Sequence, residues 1–128
     1  MDTKLYFVIY GNPITKKNHS RIIKVGNYHK IIPSKPYVEY EKDFIKQCTL
    51  QRVKDMNLNK KYNIECHYYM KTRRKVDLTN LLNGTMDCLV AARVIEDDNC
   101  NIAYSHDGSF VGYDKENPRV EIAIIELL

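Results

Sequence analysis

Several residue types that mark common protein classes are absent or scarce in this chain of 128 residues, which contains no tryptophan, five glycines and four cysteines. The cysteines are separated by at least twelve residues, so there is no CxxC pair and a structural zinc cluster is not expected. Cys48, Cys66 and Cys88 stand beside apolar residues, which predicts that they are small core residues. We therefore expect a reduced, intracellular protein.

Long apolar segments are also missing. The longest apolar runs are far shorter than the roughly 20 residues that span a bilayer, and the N-terminus has no charged-then-apolar signal. The five glycines form no phosphate-binding loop pattern. These absences predict a cytoplasmic protein without a membrane segment.

Acidic residues are nearly absent from the first third of the chain, where Asp2 is the sole acid before Glu39. The net charge is +4. Two groups of basic residues carry it: Lys16, Lys17, Arg21, Lys24, Lys30 and Lys35, and then Lys71, Arg73, Arg74 and Lys75. A basic surface of this kind can follow a phosphate backbone, although solvated loops would account for the same charges.

Apolar periodicity predicts an alternation of strands and helices. Residues 5–10 predict a strand, and residues 21–25 and 28–32 predict a hairpin that turns at Gly26 and Asn27. Helical spacing covers residues 37–56 and 78–93, and strand-like composition covers residues 62–70, 102–106 and 120–127. Residues 110–113 are compatible with a further strand. We expect one α+β domain over residues 1–128, with a mixed, largely antiparallel sheet and two helices on it.

Carboxylates around the second helix are the most informative chemical feature. Asp77 precedes the helix, Asp87 lies on it, and Asp97 and Asp98 follow it. Carboxylate oxygens are the ligands that Mg²⁺ prefers, and a bound Mg²⁺ assists phosphodiester hydrolysis. Asp77 and Asp87 are ten residues apart, roughly 15 Å along a straight helix, so Asp77, Asp97 and Asp98 are the preferred metal ligands. An N-cap role for Asp77 and a solvated turn at Asp97 and Asp98 remain alternatives.

The order and spacing of these residues resemble the RusA family of Holliday-junction endonucleases. The acidic blocks are similar to the family pattern D-x-D-N-L-x-K, L-D-x-L and D-D, and the N-terminal block to its G-x-P-x-x-K opening. The matching residues are Asp77-Leu78-Thr79-Asn80-Leu81-Leu82, Met86-Asp87-Cys88-Leu89, Val94-Ile95-Glu96-Asp97-Asp98 and Gly11-Asn12-Pro13 with Lys16, Lys17, Asn18 and Arg21.

The resemblance implies a homodimer that makes paired nicks in four-way DNA junctions during recombination and repair, using Mg²⁺ or Mn²⁺. It implies a bacterial cytoplasm as the location, with a phage or prophage as a possible source. Asp77 and Asp98 correspond to catalytic acids, Asp97 stands beside Asp98, and Asp87 is a further candidate. Lys16, Lys17, Arg21, Lys71, Arg73, Arg74 and Lys75 are the expected DNA-binding residues.

Two positions depart from the family pattern. Its second acid falls on Thr79 and its active-site lysine falls on Asn83. These changes remove a metal ligand and a positive charge that would stabilise the transition state. A catalytically weakened junction-binding protein on the same fold is therefore the alternative, and a small basic protein without a DNA role is a weaker one.

The chain also contains ten tyrosines and four histidines. Tyr28, Tyr37, Tyr40, Tyr68 and Tyr69 could stack on unpaired bases. Half-buried positions on strand and helix faces are the more frequent location for such residues. The histidines have no spacing typical of a metal site.

Overall fold

The computed structural model describes residues 3–15 and 20–128, and the side chains of residues 3, 4, 20, 21 and 33 lie outside that description. Nine elements follow one another: β1 (Thr3–Tyr10), β2 (Ser20–Val25), β3 (Tyr28–Pro33), α1 (Lys35–Leu50), β4 (Tyr62–Met70), α2 (Leu78–Ala91), β5 (Ala103–Ser105), β6 (Phe110–Tyr113) and β7 (Arg119–Glu126). No helix among these residues is long and apolar enough to cross a membrane.

Five strands form one mixed sheet with β4 near its centre. β7 lies between β1 and β4 and is antiparallel to both. β5 and β6 share the other edge of β4 and are parallel to it, β5 beside Tyr62 and β6 beside residues 67–70. The expected α+β fold with a mixed sheet is confirmed, and residues 110–113 form a strand of their own.

Both helices pack on one face of this sheet, because alternate strand residues are apolar. In β4 the side chains of Ile64, Cys66 and Tyr68 are fully buried. The Tyr68 hydroxyl lies 2.7 Å from the Thr85 hydroxyl of α2. The Tyr37 hydroxyl of α1 donates a hydrogen bond to the carbonyl oxygen of Gly84, 3.2 Å away. The two helices and β4 are thus joined by buried polar contacts within the apolar core.

The buried cysteines belong to this core, as predicted. Cys48, Cys66 and Cys88 are fully buried, and burial raises the pKa of each thiol to about 12. Cys100 is exposed, and all four cysteines are free thiols. The three core thiols are therefore protonated and unreactive at neutral pH.

Both helices end earlier than their apolar periodicity predicts, α1 at Leu50 instead of residue 56 and α2 at Ala91 instead of residue 93. Each ends in a Schellman motif. The Val53 amide donates to the Cys48 carbonyl and the Val94 amide donates to the Leu89 carbonyl. Val53 and Val94 remain buried because the motif folds each of them back onto its helix. The apolar pattern therefore continues beyond each helix, which explains why the predicted helix ends were too late in the sequence.

The segments that follow α1 and α2 run side by side. The amides of Asp55, Asn57 and Leu58 donate to the carbonyls of Ala92, Arg93 and Val94 in turn. The Glu96 amide then donates back to the Leu58 carbonyl, 2.9 Å away. These bonds hold the segment after α2 against the segment after α1, next to the start of β4.

The hairpin of β2 and β3 forms a separate two-stranded sheet. Its register pairs Ile22 with Ile31 and Lys24 with His29, and Gly26 in the turn has a φ of +59°. The predicted hairpin is confirmed, with one further residue at the start of β2 and one at the end of β3. Its last residue is followed directly by Ser34, whose hydroxyl caps α1 by accepting a hydrogen bond from the Tyr37 amide.

Candidate active site

The segment that joins β4 to α2 carries the first candidate acid, Asp77. Asp77 is the N-cap of α2, and its Oδ1 accepts a hydrogen bond of 2.9 Å from the Thr79 amide. Asp77 therefore does cap the helix, which was the structural alternative to a metal-binding role. A carboxylate has about four acceptor positions, so capping leaves capacity for a cation or a phosphate-bound water. Asp77 is exposed, as an acid that meets a large substrate must be.

The N-terminal motif meets this segment. The Asn12 side chain accepts a hydrogen bond of 2.8 Å from the Lys71 amide, and the Gly11 amide donates to the Pro118 carbonyl. The N-terminal motif is thus joined to the start of the β4–α2 segment, 59 residues further along the chain, at the end of the sheet where β1 and β4 finish. Asn12 is not an acid or a base, so its structural role was not recognised from the sequence.

Basic side chains surround the same end of the sheet. Lys71, Arg73, Arg74 and Lys75 are all exposed, and their DNA-binding role stays a prediction. The Arg73 guanidinium lies 4.1 Å from the centre of the Tyr113 ring, a cation–π distance. A shallow pocket of about 250 Å³ opens between this arginine, Arg74 and β6. Lys16 and Lys17 lie outside the described residues, as does the side chain of Arg21.

Asp97 and Asp98 lie in the loop after α2. The Asp97 carboxylate accepts hydrogen bonds from the Asp98 amide, at 2.8 Å, and from the Asn99 side chain, at 3.0 Å. These bonds hold the pKa of Asp97 below its usual range. Both acids are exposed. Within this chain the two acids are therefore surrounded by solvent, which was the alternative to a metal site.

The structure does not bring Asp77 together with Asp97 and Asp98. α2 runs antiparallel to β4, because Thr85 contacts Tyr68 while Cys88, later in α2, and Cys66, earlier in β4, both lie close to the Tyr40 hydroxyl. Asp77 is therefore beyond the end of β4, whereas Asp97 and Asp98 are near its start. The 14 residues of α2 alone separate them by about 20 Å. Among the described residues, no three His, Cys, Asp or Glu side chains cluster as a metal site.

Asp87 lies on α2 at a half-buried position, on the side of the helix that faces α1. Burial is the largest cause of the raised pKa values of Tyr37 and Cys88, and the charge of Asp87 makes a smaller contribution in the same direction. Asp87 is consequently in the interface between the helices, and the structure does not place it beside Asp77.

The two departures from the family pattern share one helical row. Thr79 and Asn83 are four residues apart and both are exposed, so they lie on one face of α2 close to Asp77. Asn80, which matches the family, is buried beside them. The positions where the family has an acid and a lysine are thus accessible to substrate, and in this chain they hold neutral side chains.

A polar network on the open face of the sheet was not predicted from the sequence. Arg119 forms ion pairs with Glu121 at 3.0 Å and with Asp114 at 2.9 Å. Its guanidinium also lies 4.1 Å from the centre of the Tyr69 ring. The same hydrogen bonds that hold the arginine keep the pKa of Asp114 low. The sequence does show charged and aromatic residues alternating in β4 and β7. The pairing of these two strands was needed to show which of those residues are in contact.

The fold and this site define a small α+β protein with an exposed acid at a helix N-terminus, directly after an exposed basic segment. A comparison with protein-family models matches residues 11–125 to the family described as Endodeoxyribonuclease RusA. The chain belongs to this family, since the match covers nearly all of it. A comparison with curated proteins gave no match.

Proposed function

We propose that this protein is a metal-dependent endonuclease that resolves four-way or otherwise branched DNA by paired phosphodiester hydrolysis. The observation that carries the proposal is the hydrogen bond that joins the N-terminal family motif to the β4–α2 segment: Asn12 binds the Lys71 amide, and six residues later Asp77 caps α2. An exposed acid and exposed basic residues stand together there. We place its activity in the recombination and repair of DNA in the cytoplasm.

The residues present fit a divalent cation only in the mode that uses few protein ligands. Mg²⁺ commonly takes one or two carboxylates, substrate phosphate oxygens and waters. Asp77 supplies one such carboxylate, and the exposed Thr79 hydroxyl can hold a metal-bound water. A bound Mg²⁺ or Mn²⁺ neutralises the scissile phosphate and lowers the pKa of the attacking water. The protein groups that bind and orient the DNA beside it are Lys71, Arg74 and Lys75.

In a homodimer, Asp97 and Asp98 of one chain can act on the same phosphate as Asp77 of the other chain. Within one chain these acids are separated from Asp77 by the length of α2. If Asp98 acts on the phosphate that Asp77 contacts, the two acids must come from different chains. A two-fold dimer would form two such shared sites, one for each of the strands that a junction resolvase cuts. The proposed protein ligands are accordingly two carboxylates, Asp77 of one chain and Asp98 of its partner, and Asp97, whose carboxylate accepts two hydrogen bonds, stands beside Asp98.

The first test is cleavage of a labelled mobile four-way junction with Mg²⁺, Mn²⁺ or EDTA. We expect paired, symmetric nicks that require metal, and a loss of at least about 100-fold in Asp77→Asn and in Asp98→Asn. Asp55→Asn is a matched control for Asp77→Asn, because this exposed acid lies after α1, away from the first turn of α2. Tight junction binding with no nicks in either metal would show that Thr79 and Asn83 have removed cleavage.

A mixing experiment separates the shared site from a site within one chain. Asp77→Asn and Asp98→Asn chains, each inactive alone, are unfolded, mixed and refolded together. A mixed dimer with shared sites keeps one site with both acids, and it should nick one strand of the junction. If both acids act within one chain, every site in the mixed dimer lacks one acid and no nicking returns.

A further inference from the structure

The β2–β3 hairpin exposes apolar side chains on both of its faces. Ile22 and Ile31 form a cross-strand pair on one face, and their side chains are 68% and 71% exposed. Val25 and Tyr28 form a pair on the opposite face near the turn, and both are exposed. A two-stranded hairpin is at best marginally stable by itself, so this much exposed apolar surface indicates a surface that a partner covers.

The charge of the hairpin identifies the kind of partner. No acidic residue occurs from Thr3 to Val38, a stretch that contains the whole hairpin. Lys24 and His29 pair on the face that carries Ile22, and Lys30 projects from the opposite face beside Ile23. All three of these side chains are exposed. A ribbon with cations on both faces and no acid is complementary to a polyanion that borders it on two sides.

The dimensions fit a DNA groove. Six residues in each strand give a ribbon about 20 Å long, at roughly 3.3 Å per residue. The major groove of duplex DNA is about 12 Å wide and admits a two-stranded ribbon, whereas the minor groove is about half as wide. Phosphates line both walls of the groove, where cations on the two faces of a ribbon would meet them.

The hairpin is attached to the part of the fold that carries Asp77. Ser34 follows β3 directly and caps α1. Three residues later Tyr37 is buried and bonded to the Gly84 carbonyl of α2. The path from the hairpin to the helix that Asp77 caps is therefore short and well packed, so a hairpin bound to one duplex arm would help to position α2 on the DNA.

We propose that the β2–β3 hairpin is a DNA-contacting arm that lies in the major groove of one duplex arm of the junction. Lys24 and Lys30 contact phosphates on the two groove walls, and Ile22, Ile31 and Tyr28 pack against sugars and base edges. The inference rests on the proposed DNA substrate and adds an interface that lies outside the acidic motifs. A second copy of the chain is the competing occupant of the same apolar surface.

Salt-dependent binding to a four-way junction tests the phosphate contacts. Each phosphate contact contributes about 0.9 to the slope of log affinity against log salt. We expect Lys24→Ala/Lys30→Ala to reduce that slope by about 2 and to lower affinity by roughly 10-fold or more at 0.1 M salt. Lys46→Ala/Lys60→Ala removes two exposed charges from the body of the protein and should change the slope much less. An unchanged slope in the hairpin variant would overturn the inference.

The apolar contacts are tested separately. Ile22→Ser/Ile31→Ser should lower junction affinity at least several-fold without changing the salt slope, and light scattering should show an unchanged oligomeric state. A photo-crosslinking amino acid at Tyr28 should label DNA. Labelling of a second protein chain, or conversion of the serine variant to a smaller oligomer, would assign the hairpin to a protein interface. If the unmodified protein bound and cut no DNA, the proposed function would fail, whereas normal cleavage by both hairpin variants would remove only the DNA-contacting arm.

Discussion

Asp77 and Asp98 flank the same helix from opposite ends, because Asp77 caps the first turn of α2 and Asp98 follows its last residue by seven positions. The helix lies antiparallel to β4, so each acid is found at a different end of the sheet. Only Asp77 has the basic residues of the β4–α2 segment next to it in the sequence. Because of this separation, the proposal that both acids act on one phosphate requires a dimer, and it is tested by mixing chains that carry different substitutions.

Two substitutions at Asp77 should separate its structural role from its proposed catalytic role. Asparagine is as good an N-cap as aspartate, so Asp77→Asn should leave the melting temperature within about 2 °C while cleavage is lost. Asp77→Ala also removes the hydrogen bond to the Thr79 amide and should cost about 1 kcal/mol of stability. Thermal unfolding and junction cleavage are measured on both variants. Full activity in the asparagine variant would reduce Asp77 to a cap.

The same chemical change at two buried tyrosines should have opposite effects on stability. The Tyr40 hydroxyl is the buried side-chain polar atom that lacks a hydrogen-bond partner within the described part of the chain, and burial raises its pKa strongly. Tyr40→Phe should therefore stabilise the protein by about 1 kcal/mol. Tyr68→Phe leaves the Thr85 hydroxyl unpaired and should destabilise it by about 1–3 kcal/mol. Urea unfolding measures the stability change in each variant. Changes of the same sign would contradict the conclusion that the Tyr68 hydroxyl is hydrogen-bonded and the Tyr40 hydroxyl is not.

The ends of the two helices offer a route to higher stability. Arg52 and Arg93 occupy the position after each C-cap with φ values of 62° and 55°, in the left-handed region that favours glycine. Arg93→Gly should stabilise the protein by about 1 kcal/mol, which is a rise of roughly 3–5 °C in melting temperature for a chain of this size. Arg93→Val, with a branched side chain at the same φ, should lower it. Calorimetry on the two variants checks the sign of each change.

The reactivity of the cysteines follows from their burial. A thiol reagent such as DTNB should modify one cysteine per chain in the native protein, because only Cys100 is exposed and the other three pKa values are near 12. Cys100→Ser should abolish this reaction, and unfolding in guanidinium should restore three equivalents. A rapid reaction of more than one thiol in the native state would show that the core opens easily.

The local sequence pattern was sufficient to predict most of the helices and strands. The alternation of apolar residues in β4 and the Gly26-Asn27 turn of the hairpin depend on near neighbours, and the structure places both where they were predicted. The helix ends were misplaced because Val53 and Val94 keep the apolar spacing after the backbone has left the helix. A closing turn that buries the next apolar residue cannot be distinguished from another helical turn by spacing alone.

The sequence by itself determined the family and predicted the candidate acids, since both depend on residue type and order along the chain. Only the tertiary structure decided which residues meet. Hydrogen bonding between Asn12 and Lys71 joined the N-terminal motif to the segment that leads to Asp77, and the antiparallel packing of α2 on β4 kept Asp77 and Asp98 apart. The physical reason is that a helix is rigid: 14 helical residues hold their two ends about 20 Å apart, however close the flanking acids are in the motif.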